Sequence, residues 1–189
     1  MYLYQPCLLT LSLYAWAFDE QTGWRRWLSI LFPLIILLLS EWELVYATIT
    51  IYPAALLLPI VFVIRRAQRA ALAETLCACI LGGLVSWMSA DAWPLLPGLT
   101  ILCAALLLSP VLLLCRNRED RRLACAFGGL VFELFFCLKE YLLFSFAVVR
   151  LGSREGLSVT AAGLCFLCLL EQVQQMGTSL KKRRLSTRI

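Results

Sequence analysis

The chain has 189 residues, of which 61% are hydrophobic and 15% charged, and its formal net charge is +5. A soluble domain is about 45–50% apolar, so this sequence has too few polar residues to cover a soluble surface. Apolar blocks separated by short charged turns fill nearly the whole chain, which excludes an additional soluble domain. The composition predicts one all-α domain, a polytopic membrane bundle of about seven transmembrane helices.

The predicted helices follow one another with short turns. Helix 3 contains Pro53 and Pro59, which kink a membrane helix without excluding it. Helix 6 is longer than a hydrocarbon core of about 30 Å requires. It therefore either tilts or runs along the outer interface after Lys139-Glu140-Tyr141. The predicted bounds are 2–18, 24–39, 46–64, 70–89, 95–114, 123–149 and 157–176, and residues 177–189 form a basic cytoplasmic tail.

The basic residues orient the predicted bundle. When the turns are assigned to alternating sides, all 17 Lys and Arg residues except Lys139, Arg150 and Arg154 belong to one side. The positive-inside rule places that side in the cytoplasm, so we expect the N-terminus outside and the C-terminus inside. Cleavage of helix 1 after the Ala15-Trp16-Ala17 stretch would leave the basic turns outside, so we expect helix 1 to be retained.

The same residues indicate the partners of the chain. They lie next to apolar blocks rather than on one face of a folded domain, so nucleic acid is not an expected partner. Attraction to anionic lipid headgroups at the cytoplasmic face accounts for them. We expect such headgroup contacts above all in the tail, from Lys181, Lys182, Arg183 and Arg184.

Glu133 is the strongest candidate for a site residue. It lies about 15 Å from the inner end of predicted helix 6 at the usual helical rise, close to the bilayer midplane. Acids at that depth usually face the bundle interior and serve a function. Two interpretations stay open. In the first, Glu133 is a proton- or cation-linked group or recognises a polar headgroup or substrate. In the second, it is a protonated acid that hydrogen-bonds a neighbouring helix and holds the bundle together.

Four further charged residues are weaker candidates. Glu74 and Glu171 lie near the inner ends of helices 4 and 7, where we expect interfacial charges. Glu74 is placed to pair with Arg69 or with an Arg of a neighbouring loop. Lys139 and Glu140 fall near the outer interface, where long side chains reach water. Because Glu133 and Glu140 share a helix face, they suggest one polar stripe.

The cysteines and motifs indicate no reaction. The nine cysteines are odd in number and lie mostly in apolar blocks, so we expect no disulfide framework. Cys165 and Cys168 have the spacing of a redox or metal pair, but a chain without His builds no Cys/His site. No catalytic motif is present. We therefore expect no enzymatic activity, cofactor or metal, and an intramembrane enzyme would have to depend on Glu133.

Several short motifs of this layout resemble those of a known family. They are the stretch Gly128-Gly129-Leu130-Val131-Phe132-Glu133, the Leu151-Gly152-Ser153 turn, and Glu171-Gln172-Val173 near the end of helix 7. Together with a tryptophan-containing first helix and a mid-chain Arg cluster, they resemble the YphA-like integral membrane proteins of Firmicutes. The resemblance implies a bacterial cytoplasmic membrane and adds weight to Glu133, but it implies no activity.

Two functions follow as expectations. The first is a non-enzymatic accessory or structural membrane protein that associates with itself or with another membrane protein. The alternative is a small transporter or proton-coupled carrier that uses Glu133.

Overall fold

The chain folds into seven helices and three short strands in the part that the computed structural model describes, residues 3–18, 23–46, 49–65, 72–92, 98–144 and 149–186. The helices are α1 (Tyr4–Phe18), α2 (Trp24–Leu39), α3 (Pro53–Arg65), α4 (Leu72–Ala92), α5 (Leu99–Leu114), α6 (Arg118–Phe144) and α7 (Arg154–Ser186). The strands are β1 (Leu44–Tyr46), β2 (Ile49–Ile51) and β3 (Val149–Leu151). The predicted all-α class is confirmed, with a small sheet added.

The sheet replaces parts of two predicted helices. Residues 46–51 were expected in helix 3, but β1 pairs antiparallel with β2, and β2 pairs parallel with β3. The reason is local, because Val45, Tyr46 and the segment Ile49–Ile51 are β-branched or aromatic residues that favour strands. Pro53 does not kink a helix here. It is the first residue of α3, a position that tolerates its missing N–H.

The bounds of α6 and α7 also differ from the prediction. α6 begins at Arg118 rather than at residue 123, since Glu119 and Asp120 in its first turn favour a helix N-terminus. It ends at Phe144, and residues 145–148 of the predicted helix 6 lie outside the described part. α7 continues from Arg154 to Ser186, beyond the predicted end at 176. The basic residues of the tail suit a helix C-terminus.

Helices that follow one another along the chain run in opposite directions. Between α1 and α2, residue numbers rise on one helix as they fall on the other. The hydrogen bonds join Tyr4 with Glu41, Ser12 with Ile30 and Trp16 with Arg26. α6 and α7 show the same pattern, with Glu133 near Ser153, Gly129 near Thr160 and Arg122 near Glu171. The bundle therefore has a sheet end, where β1–β3 lie, and an opposite basic end. At that end, the basic residues whose side chains the structure describes are Arg26, Arg116, Arg118, Arg121 and Arg122.

The helices pack through small residues. A Cβ atom on Gly82 of α4 would overlap the carbonyl oxygen of Leu107 in α5, and one on Gly129 of α6 would overlap Thr160 of α7. Close approach through Gly, Ala and Ser is typical of helix pairs in membranes. Gly82 and Gly83 of α4 and Gly128 and Gly129 of α6 thus contribute to close helix packing.

Helix length alone does not support seven membrane crossings. Within the described residues, two stretches are long and apolar enough to cross a membrane, Ala73–Asp91 in α4 and Arg154–Thr178 in α7. Arg26–Leu39 and Leu99–Leu114 are apolar but shorter. A buried helix of a soluble protein meets the same criterion of length and composition.

Candidate functional site

Glu133 of α6 is buried against the N-terminus of α7, and it is 4% exposed. One carboxylate oxygen accepts a hydrogen bond from the backbone N–H of Gly152, and the other accepts one from the Ser153 hydroxyl at 2.9 Å. Because Gly152 and Ser153 connect β3 to α7, the acid of α6 lies against the N-terminus of the next helix.

The loop that holds Glu133 depends on two glycines and a serine. Gly152 has a φ of +86°, in the left-handed region where a Cβ is unfavourable. The Ser153 hydroxyl accepts a hydrogen bond from the backbone N–H of Gly156 at 3.2 Å, which caps the first turn of α7. A Cβ on Gly156 would overlap the carboxylate of Glu133. The sequence Gly-Ser-x-x-Gly, residues 152–156, therefore forms a closely packed hydrogen-bonding site for the Glu133 carboxylate.

This geometry suits a carboxylate without any external ligand. The N-terminus of a helix presents unpaired N–H groups and a positive partial charge. Glu133 supplies the acceptor that these groups need, and in doing so it ties α6 to α7. Glu133 lies in the bundle interior, and both of its hydrogen-bond partners belong to the segment that leads into the neighbouring helix α7.

A narrow cavity lies beside Glu133, between α3, α6 and α7. Its volume is about 10 Å³, roughly the room that one water molecule needs, whereas pockets for small molecules measure roughly 300–1,000 Å³. Apart from the Glu133 carboxylate and the Thr160 hydroxyl, the wall is apolar. Its other lining residues are Leu58, Ala126, Gly129, Leu130, Gly156 and Leu157.

A second buried acid lies near the basic end. Glu171 is 1% exposed and forms an ion pair with Arg122 of α6, with 2.6 Å between Nη2 and Oε2. In the described part of the chain, Arg122 Nε, Glu171 Oε1 and Glu119 Oε2 are buried and accept or donate no hydrogen bond. Glu171 was expected as an interfacial charge, and Arg122 belongs to the mid-chain Arg cluster. The structure instead joins them inside the bundle.

The other weak candidates do not gather around Glu133. Lys139 forms an exposed ion pair with Asp91 of α4, and Glu140 is exposed on α6, so it builds no common polar stripe with the buried Glu133. Glu74 is exposed in the first turn of α4. Its expected partner Arg69 lies outside the described residues, as do the side chains of Lys181, Lys182, Arg183 and Arg184.

Sequence reasoning missed a network at the sheet end. Glu41, after α2, accepts a hydrogen bond from the Tyr4 hydroxyl of α1 at 3.2 Å and pairs with Arg154 of α7. These residues are far apart along the chain, and no local motif links them. The network joins the ends of three helices, which fits a structural role.

The described residues hold no group of three or more Cys, Asp and Glu side chains placed to bind a metal ion. No protein-family model, curated protein or solved structure matches the chain. The resemblance to the YphA-like family thus stays a prediction.

Proposed function

We propose that this chain is a multi-pass membrane protein of the bacterial cytoplasmic membrane that acts as a non-enzymatic accessory or structural component. The observation that carries the proposal is the large apolar surface of the helices. Leu13 of α1 is 67% exposed, Leu38 of α2 is 76% exposed and Leu113 of α5 is 84% exposed. Soluble proteins rarely leave contiguous apolar surface of this kind in water.

The interior supports the same proposal. Many of the buried positions hold small residues, among them Ala78, Ala104, Ala124 and Ser86, and many large aliphatic side chains are exposed on the surface. In a soluble protein the large apolar side chains drive folding by leaving water. In lipid that drive is absent, and small residues let helices approach closely.

Aromatic residues mark both ends of the proposed lipid-facing band. Trp16, Trp24 and Trp27 are exposed at the basic end, and Trp42 and Tyr46 are exposed at the sheet end. Such belts are typical of the two membrane interfaces. The belts also suggest how short helices cross the membrane. α1 and α2 have 15 and 16 residues, so each is about 24 Å long at most. Local thinning of the bilayer around interfacial aromatic anchors covers the difference from the hydrocarbon thickness.

The partners of Glu133 support a structural role over a carrier. Its carboxylate is engaged by the loop before α7, and the cavity beside it is below the size of a substrate pocket. Anionic headgroups at the basic end, and a second copy or another membrane protein along the apolar faces, are the partners that this surface suits.

Reporter fusions test the topology. Fusions after Ser40, Ser153 and the C-terminal Ile189 are expected to report outside, outside and inside. An inside signal at Ser40 or an outside signal at Ile189 would contradict the proposal. Release of the protein from membranes by alkaline carbonate, without detergent, would contradict it as well.

Purification from its own membrane in mild detergent tests the role. We expect a co-purifying membrane protein, a stable oligomer or bound anionic lipid. In proteoliposomes, a proton flux that Glu133→Gln abolishes while the protein stays folded would favour the carrier instead.

A further inference from the structure

Two cysteines meet where the first helix packs on the last. α1 and α7 run in the same direction, and the Cys165 thiol lies 3.2 Å from the backbone carbonyl oxygen of Cys7. The side chains of Cys7 and Cys165 also interact with each other. Both residues are half-buried, so the pair lies at the edge of the α1–α7 contact rather than in the core.

The other cysteines differ in their setting. Cys125 and Cys168 are buried inside the bundle, where reagents have poor access, and Cys77 is exposed on α4. All nine cysteines are free. Cys7 and Cys165 therefore combine two features that an oxidisable pair needs, close approach and partial exposure.

We propose that Cys7 and Cys165 are a redox-sensitive pair that forms a reversible disulfide when the protein meets hydrogen peroxide. One thiol, as thiolate, attacks the peroxide O–O bond and becomes a sulfenic acid. The second thiol then attacks that sulfur, and water leaves. Two thiols and one peroxide give one disulfide and two water molecules, so the thiols lose two electrons and the peroxide gains them.

The bond would link the N-terminal helix covalently to the C-terminal helix. Such a loop contains most of the chain, and closing a long loop restricts the unfolded state strongly. The oxidised protein is therefore expected to unfold at a higher temperature than the reduced protein, and a thiol reductant is expected to reverse the change.

Mass spectrometry of the full-length protein in mild detergent tests the proposal. After peroxide treatment the protein is denatured and its remaining thiols are alkylated with N-ethylmaleimide. We expect two fewer alkylated cysteines than in the reduced protein, and a proteolytic peptide pair linked through Cys7 and Cys165. Dithiothreitol is expected to restore full labelling.

Single substitutions provide the controls. Cys7→Ser and Cys165→Ser are each expected to abolish the linked peptide, while Cys77→Ser leaves it unchanged. The wild-type peptide map decides the question even if a variant fails to fold. The proposal is overturned if all thiols stay reduced, if the disulfide joins another pair, or if it joins two chains.

Discussion

Two buried acids on the contact between α6 and α7 are stabilised in different ways. Glu133, toward the sheet end, is held by neutral donors, the Gly152 N–H and the Ser153 hydroxyl. Glu171, toward the basic end, is held by the charge of Arg122. The site of Glu133 uses the N-terminus of α7 itself, and it needs glycines so that the carboxylate can approach the backbone closely. The site of Glu171 needs only a long basic side chain, Arg122, from the neighbouring helix.

The difference determines what each site tolerates. A helix N-terminus accepts any small acceptor that fits, because its N–H groups are fixed by the backbone. A buried ion pair tolerates loss of both partners better than loss of one, because the remaining charge has no compensation. Stability measurements on matched variants can separate the two cases.

The largest effect is expected for Arg122→Ala. It leaves Glu171 buried without its partner, which costs about 3–5 kcal/mol of unfolding free energy. Unfolding in mild detergent can be followed by the reactivity of the buried thiols. The double variant Arg122→Met with Glu171→Leu is expected to recover much of the loss. A single variant as stable as the wild type would mean that the ion pair contributes nothing.

The next largest effect is expected for Gly156→Ala. The added methyl group overlaps the Glu133 carboxylate, and overpacking of this kind costs about 1–3 kcal/mol. Gly177→Ala on the same helix is the matched control, because a Cβ there meets no atom within 4 Å. The control is expected to raise stability by up to about 1 kcal/mol. Equal effects of the two substitutions would contradict the described fit around Glu133.

Glu133→Gln is expected to cost less. The amide oxygen still accepts one hydrogen bond, and the lost interaction with the helix dipole amounts to about 0.3–1 kcal/mol, or up to about 2 where it is partly buried. Glu133→Ala removes the acceptor as well and leaves donors unsatisfied, at about 1–3 kcal/mol. Thermal unfolding compares the two variants. If Gln destabilises as much as Ala, the charge rather than the acceptor holds the loop.

The smallest effect is expected for Lys139→Ala. Its ion pair with Asp91 is 36% and 37% exposed, and such pairs contribute about 0–1 kcal/mol. The effect should shrink further at high salt, which a titration of the unfolding temperature against ionic strength measures. A loss above about 2 kcal/mol would show that this pair belongs with Arg122 and Glu171.

The sequence predicted features that depend on neighbouring residues. The bounds of α2, residues 24–39, and the end of α5 at Leu114 agree with the prediction because apolar blocks stop where charged or turn residues begin. The burial of Glu133 followed from its position in an apolar helix. The Gly-Ser-x-x-Gly sequence before α7 also carried a capping signal, which its resemblance to an outer turn obscured.

Features that depend on distant residues were not predictable from the sequence. The apolar run before Pro53 looks like the start of a membrane helix, and only its β-branched and aromatic residues indicate strands. The pairing of Arg122 with Glu171 links α6 to α7 across many residues, and an isolated acid near a helix end gives no sign of its partner. The same holds for Glu41, which meets Tyr4 and Arg154.

The sheet has a consequence for biosynthesis. Thr50 of β2 pairs with Arg150 of β3, so the parallel half of the sheet cannot form until the ribosome has made nearly four-fifths of the chain. The hairpin of β1 and β2 can form early, but its free edge stays unpaired while α4, α5 and α6 are synthesised. Closure of the sheet end is therefore a late event in assembly, and truncated chains that stop before β3 expose an open strand to the quality-control machinery.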